Sequence, residues 1–149
     1  TAGGMNEEKL EVEMWGLEIC CERSNFGEIV PGNIVNIERS MSVNSRFDGH
    51  IVQGHVDEVA ICTDVSETDG SWKYVFKHSK NNITVEKGSI TINGVSLTVV
   101  DSTENSFSVA IIPYTYNNTN FNQINVGTKV NLEFDIIGKY ISKMIKKTG

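Results

Sequence analysis

Apolar and polar residues alternate with a period of two along several short stretches of the chain, the pattern of half-buried β-strands. Leu10, Val12 and Met14 predict a strand across 9–19. A connection over 24–32 closes on Pro31-Gly32, and Ile34, Val35 and Ile37 predict the next strand, ending near Arg39. Residues 40–48 are polar and linker-like. Residues 50–62 read as a long strand with Gly54 in its middle, where a glycine marks a bulge, a bend or a close backbone approach. An acidic loop over 63–71 separates it from a strand at 72–77, and a polar stretch follows at 78–86. In the segment 87–100, KGSITINGVSLTVV, Ile90 and Ile92 flank Thr91, Asn93-Gly94 supplies the turn, and Val95, Leu97 and Val99 alternate with Ser96 and Thr98. Asn-Gly is the strongest short hairpin signal, because a type I′ turn needs positive φ at both central residues. If the apolar side of the return strand packs the core, both hydroxyls share the opposite face.

A strand over 107–112 is stopped by Pro113, a long Asn- and Thr-rich connection covers 114–125, and the last strand spans 129–134. Ile137, Tyr140, Ile141, Met144 and Ile145 recur at helical spacing and predict a short amphipathic helix. From residue 51 onward this makes six strands with no helix between them. Parallel strands would need crossover helices, so the pattern predicts an antiparallel six-stranded barrel or sandwich.

The chain also resembles itself. Ser24-Asn25-Phe26, Ile29, Gly32 and Val35-Asn36-Ile37-Glu38 match Thr119-Asn120-Phe121, Ile124, Gly127 and Val130-Asn131-Leu132-Glu133 at a constant offset, 119 − 24 = 95 and 133 − 38 = 95, without a gap. This is a duplicated unit. At that offset the partner of Ser96 is Thr1, so residues 1–44 read as the C-terminal part of a first unit, 45–136 as a complete second unit and 137–149 as the helix.

Composition narrows the classes. The chain has 149 residues, is 39% hydrophobic and carries a net charge of −6. Without a basic stripe, nucleic acid is an unexpected partner. No apolar run reaches membrane-spanning length, and the start lacks a secretory pattern. Cys20, Cys21 and Cys62 are odd in number, which suits a reducing compartment better than a disulfide framework. Neither CxxC nor HxxxH occurs, so no metal is expected.

Four strings in order carry a resemblance: RFDGHIVQGHVDEVA (46–60), KGSITINGVSLTVV, IPYT (112–115) and VNLEFDIIGKY (130–140). Together they resemble the riboflavin synthases. The resemblance implies an all-β fold of six-stranded antiparallel Greek-key barrels in tandem, here with the first one incomplete, plus a short C-terminal helix. It implies a cytoplasmic, or after removal of a transit peptide plastid, homotrimer using no cofactor. The reaction implied is dismutation of two 6,7-dimethyl-8-ribityllumazine molecules into riboflavin and 5-amino-6-(ribitylamino)uracil, in which one substrate gives a four-carbon unit to the other. The reacting pair would meet between barrels of neighbouring subunits. Holding two rings face to face can remove roughly 7–11 kcal/mol of barrier, and a duplicated barrel supplies two similar pockets.

The same resemblance assigns residues. Ser96, Thr98, His55 and Asp135 would be catalytic. His55, Val56, Asp57, Lys87, Ser96, Leu97, Thr98, Ile111, Ile112, Pro113, Tyr114, Thr115 and Tyr116 would contact substrate. On spacing alone Ser96 and Thr98 are a polar strand face, Asp135 a solvated strand end and Lys87 a solvated lysine. His50 stands between a structural and a functional reading. The first-barrel site would fall on Trp15, Gly16, Leu17, Glu18, Ile19 and Cys20, where WGLEIC departs from the family's pattern. A lumazine- or flavin-binding protein of the same fold without catalysis is the alternative.

Overall fold

A computed structural model describes residues 23–37 and 49–148. The strand expected at 9–19, the site expected at 15–20 and the linker at 40–48 lie outside the described residues. Among the described residues six strands, β1 (Glu58–Thr68), β2 (Ser71–Lys77), β3 (Ser89–Ile92), β4 (Val95–Ser102), β5 (Ser106–Ile111) and β6 (Lys129–Phe134), are accompanied by a short helix before β6, α1 (Pro113–Asn118), and a longer one after it, α2 (Ile136–Thr148). The strands close into an antiparallel barrel in the order β1-β2-β5-β4-β3-β6. Strands β3, β4 and β5 are joined by hairpins, and β6 returns beside β3, which is a Greek key.

Alternation sorts the side chains. Ala60, Cys62, Tyr74, Phe76, Ile90, Ile92, Val99, Phe107, Val109, Ile111, Val130, Leu132 and Phe134 point inward and are buried. Each large one contributes about 1.5–3 kcal/mol. Phe121 closes one end of the barrel: its ring meets Tyr74 edge-on at 5.3 Å, and its carbonyl accepts the Tyr74 hydroxyl at 2.8 Å. Asn93 and Gly94 take φ of 48° and 82°, the turn their sequence predicts, with Ile92 opposite Val95. Pro113 occupies the first turn of α1, where its missing N–H is harmless.

Three expectations need correction. The predicted acidic loop at 63–71 is strand: β1 pairs with β2 as far as Thr68 opposite Ser71, and the turn is Asp69-Gly70, both at positive φ. The connection at 114–125 contains α1 and a 3-10 turn, Asn120–Gln123. The long strand expected from residue 50 begins only at Glu58. Residues 49–57 instead form an irregular strap across the outside of β3 and β6. In a strand, successive N–H groups point to opposite sides. Here those of Gln53, Gly54 and His55 all converge on the Glu133 carboxylate, at 2.7, 2.9 and 3.0 Å. Gly54, at φ 75°, permits that turn.

The internal repeat is visible in backbone geometry. Ser24 caps the 3-10 turn Asn25–Glu28 by accepting from Phe26 N, and Ile29 N bonds Phe26 O. Ninety-five residues later Thr119 accepts from Phe121 N, and Ile124 N bonds Phe121 O. The two units also touch reciprocally. Asn25 N donates to Asn131 Oδ1 at 2.7 Å, and Asn120 N donates to Asn36 Oδ1 at 2.8 Å. Since 120 − 25 = 95 and 131 − 36 = 95, these are one contact made twice about a pseudo-two-fold axis. Residues 34–37, the described part of the strand expected from Ile34 to near Arg39, carry no ladder among the described residues. The Asn36 amide instead donates to Asn93 O and Asn120 Oδ1.

Candidate functional site

Outward residues of β3, β4 and β5 meet the start of the strap and the first turns of α1 in a depression of about 330 Å³. It is lined by Gly49, Ser89, Ser96, Leu97, Thr98, Ala110, Ile112 and Thr115. Ser96 and Thr98 stand there because inward packing of Val95, Leu97 and Val99 turns the alternate positions out. The size is at the lower end of small-molecule sites.

The histidine that addresses this depression is His50. Its Nδ1 lies 2.8 Å from Ser96 Oγ and its Nε2 lies 3.1 Å from Thr91 Oγ1. With the proton on Nε2, the ring donates to Thr91 and leaves Nδ1 to accept from Ser96. Burial lowers the His50 pKa below its ordinary 6.5, while the Asp135 and Glu133 carboxylates draw it back upward. Gly49, at φ 102°, lets the strap pass so near β4 that a Cβ there would lie 3.2 Å from Ser96 Oγ.

Of the residues expected at the site, Ser96, Leu97, Thr98, Ile112 and Thr115 line the depression. His55, the histidine singled out for proton transfer, is exposed, and its Nδ1 sits 3.1 Å from the Gln53 carbonyl oxygen. Asp57 holds structure together: its Oδ2 accepts from Phe134 N at 2.8 Å and from Lys139 Nζ at 2.6 Å, tying the strap to α2. Asp135 caps α2 through Ile137 N at 2.9 Å and bears electrostatically on His50. Ile111 is in the core, Tyr116 stacks on Trp72 with ring centroids 3.8 Å apart, and Tyr114 is exposed. Val56 is half-buried in the strap, and Pro113 opens α1. Lys87 is exposed in the turn before β3, at φ 62°. Gly49, His50, Ser89, Thr91 and Ala110 were not assigned from the sequence. The signal for His50 was its place in DGHIVQGH, where two histidines follow glycines and only the path of the strap separates them.

A cavity of ring-system size, two strand hydroxyls and an imidazole on one of them define a small-molecule site built on a Greek-key barrel. Residues 53–135 match the lumazine-binding domain, and the chain belongs to that family. Its relatives include riboflavin synthase of Actinobacillus pleuropneumoniae, 44% identical over 85% of this chain and 60% of that protein. Riboflavin synthase of Bacillus subtilis is 40% identical over the same shares, 85% and 60%. Riboflavin synthase of Bacillus amyloliquefaciens is 36% identical over 99% of this chain and 69% of that protein. The chain thus spans about 60% of the length of the first of these relatives. Among solved structures, LumP complexed with 6,7-dimethyl-8-(1'-D-ribityl) lumazine superposes with a TM-score of 0.71 at 23% identity, over 82% of this chain and 70% of that one. That likeness concerns the fold.

Proposed function

We propose that this chain is the lumazine-handling part of a riboflavin synthase, which converts two 6,7-dimethyl-8-ribityllumazine molecules into riboflavin and 5-amino-6-(ribitylamino)uracil. The observation that carries the reading is Ser96 in the depression with His50 Nδ1 at 2.8 Å. The ring of the substrate lies against Ile112 and Ala110, with Ser89, Ser96 and Thr98 at its polar edge. The acidic C7 methyl must lose a proton. In this reading the proton passes to the Ser96 oxygen as the serine's own proton moves to His50 Nδ1. The Nε2–H bond to Thr91 keeps that lone pair aimed at Ser96. A neutral imidazole is the form required, and burial favours it.

The second lumazine comes from a barrel of another subunit, and α2 serves assembly into a homotrimer. Ile137, Tyr140 and Ile141 leave more than half their surface exposed along one stripe of that helix. An apolar stripe of this kind is covered by a partner in stable oligomers.

The test is incubation of the protein with the lumazine and separation of products. Equal amounts of riboflavin and the pyrimidine are expected, with a loss of about 100-fold or more on Ser96→Ala. Tight lumazine binding without riboflavin would instead identify a carrier.

A further inference from the structure

Glu133 lies on the outward face of β6, yet it is 6% exposed. A buried carboxylate is costly unless its oxygens are hydrogen-bonded. Glu133 has no cation on it among the described ion pairs; its partners are the three successive backbone N–H groups of the strap. Such charge-assisted bonds are short and strong, and three converging on one carboxylate fix the strap's path. Thr91 stands directly across the ladder from Glu133. His50, three residues before the first donor, drops its ring between Thr91 and Ser96. Without the strap, Ser96 would be a hydroxyl on an open strand face.

We infer that Glu133 is a positioning residue for the Ser96–His50 pair, acting by gripping residues 53–55 so that the His50 ring spans Thr91 and Ser96. This rests on the proposed role of that pair, but the geometry it claims can be read without turnover. The groups facing His50 are the hydroxyls of Thr91 and Ser96 on β3 and β4, the carboxylate of Glu133 on β6 and that of Asp135, which follows β6 and caps α2.

Glu133→Gln keeps the shape and removes the charge, turning an amide against donors. Gly54→Ala leaves the carboxylate intact and strains the strap from the other side. A Cβ at Gly54 meets nothing within 4 Å, so that substitution acts through its φ of 75° alone. The experiment follows the His50 ring by ¹⁵N NMR in the full chain and measures lumazine affinity by fluorescence and turnover by product formation. Both variants are expected to change the tautomer balance and titration of His50, and to lower kcat about 10- to 100-fold while lumazine affinity moves less than kcat. If Glu133→Gln does not fold, Gly54→Ala decides alone. His50 signals and kcat as in the unsubstituted protein overturn the inference, as does a loss of affinity equal to the loss of turnover. Altered His50 signals in a protein that never makes riboflavin uphold the positioning role and overturn the proposed reaction.

Discussion

His50 joins its environment to its chemistry through one proton. The folded chain binds that proton less readily than the unfolded chain, because burial lowers the pKa from 6.5. The sign follows from linkage: the unfolded state takes up more protons below about 6.5, so stability from this group is whole above that value and declines as pH falls through the folded-state pKa. His50→Gln is expected to flatten the slope of stability against pH in that window, measured by urea unfolding at stepped pH. It should also abolish the acid limb of the turnover profile, which in the unsubstituted protein falls below 6.5. A second residue-scale outcome concerns Gly49. Gly49→Ala places a methyl 3.2 Å from Ser96 Oγ at a φ of 102°. A cost of about 1–3 kcal/mol is expected, with weaker lumazine binding, read from thermal unfolding and fluorescence titration. From sequence His55 was the more plausible proton carrier because it lies in GHVD, a string the resemblance places at the ligand site; in the structure His50 reaches Ser96, on a strap held by Glu133 some eighty residues away.

At the level of elements, local signals and long-range ones diverge. The β3–β4 hairpin was legible because alternation and an Asn-Gly turn are properties of neighbouring residues. The six strands and their antiparallel pairing followed from the same alternation, which left barrel and sandwich both open; the closed barrel was implied only by the resemblance. The strap was not legible: HIVQGHVD alternates well enough for a strand, and nothing within it shows three N–H groups turned toward one distant carboxylate. The start of β1 was therefore placed too early by about eight residues (58 against 50). The hairpin turn also does more than reverse the chain. Asn93 Oδ1 accepts from Asn131 N at 2.8 Å, and Asn93 N donates to Asn131 O at 2.9 Å. Asn93→Ala loses both the side-chain bond and a residue that tolerates a φ of 48°. It should destabilise the barrel by about 1–3 kcal/mol in equilibrium unfolding, whereas Asn93→Gly should keep the turn and lose only the bond.

For the whole molecule, helix α2 is held at its start and open along its length. The Asp135 cap and the Lys139–Asp57 pair fix its direction from the barrel, while Ile137, Tyr140 and Ile141 face outward. Ile137→Glu with Ile141→Glu is expected to lower the assembled mass seen by light scattering and leave the thermal unfolding of the barrel nearly unchanged. The two units are joined by contacts of another kind. Asn25 with Asn131 and Asn36 with Asn120 are one bond written twice. In each the donor is a backbone N–H, which any residue but proline supplies, so each bond is specified by its accepting asparagine alone, Asn131 in one half and Asn36 in the other. Either half can therefore lose its bond without the other. The number of related chains that keep an asparagine at only one of positions 36 and 131 measures how far the two halves have parted.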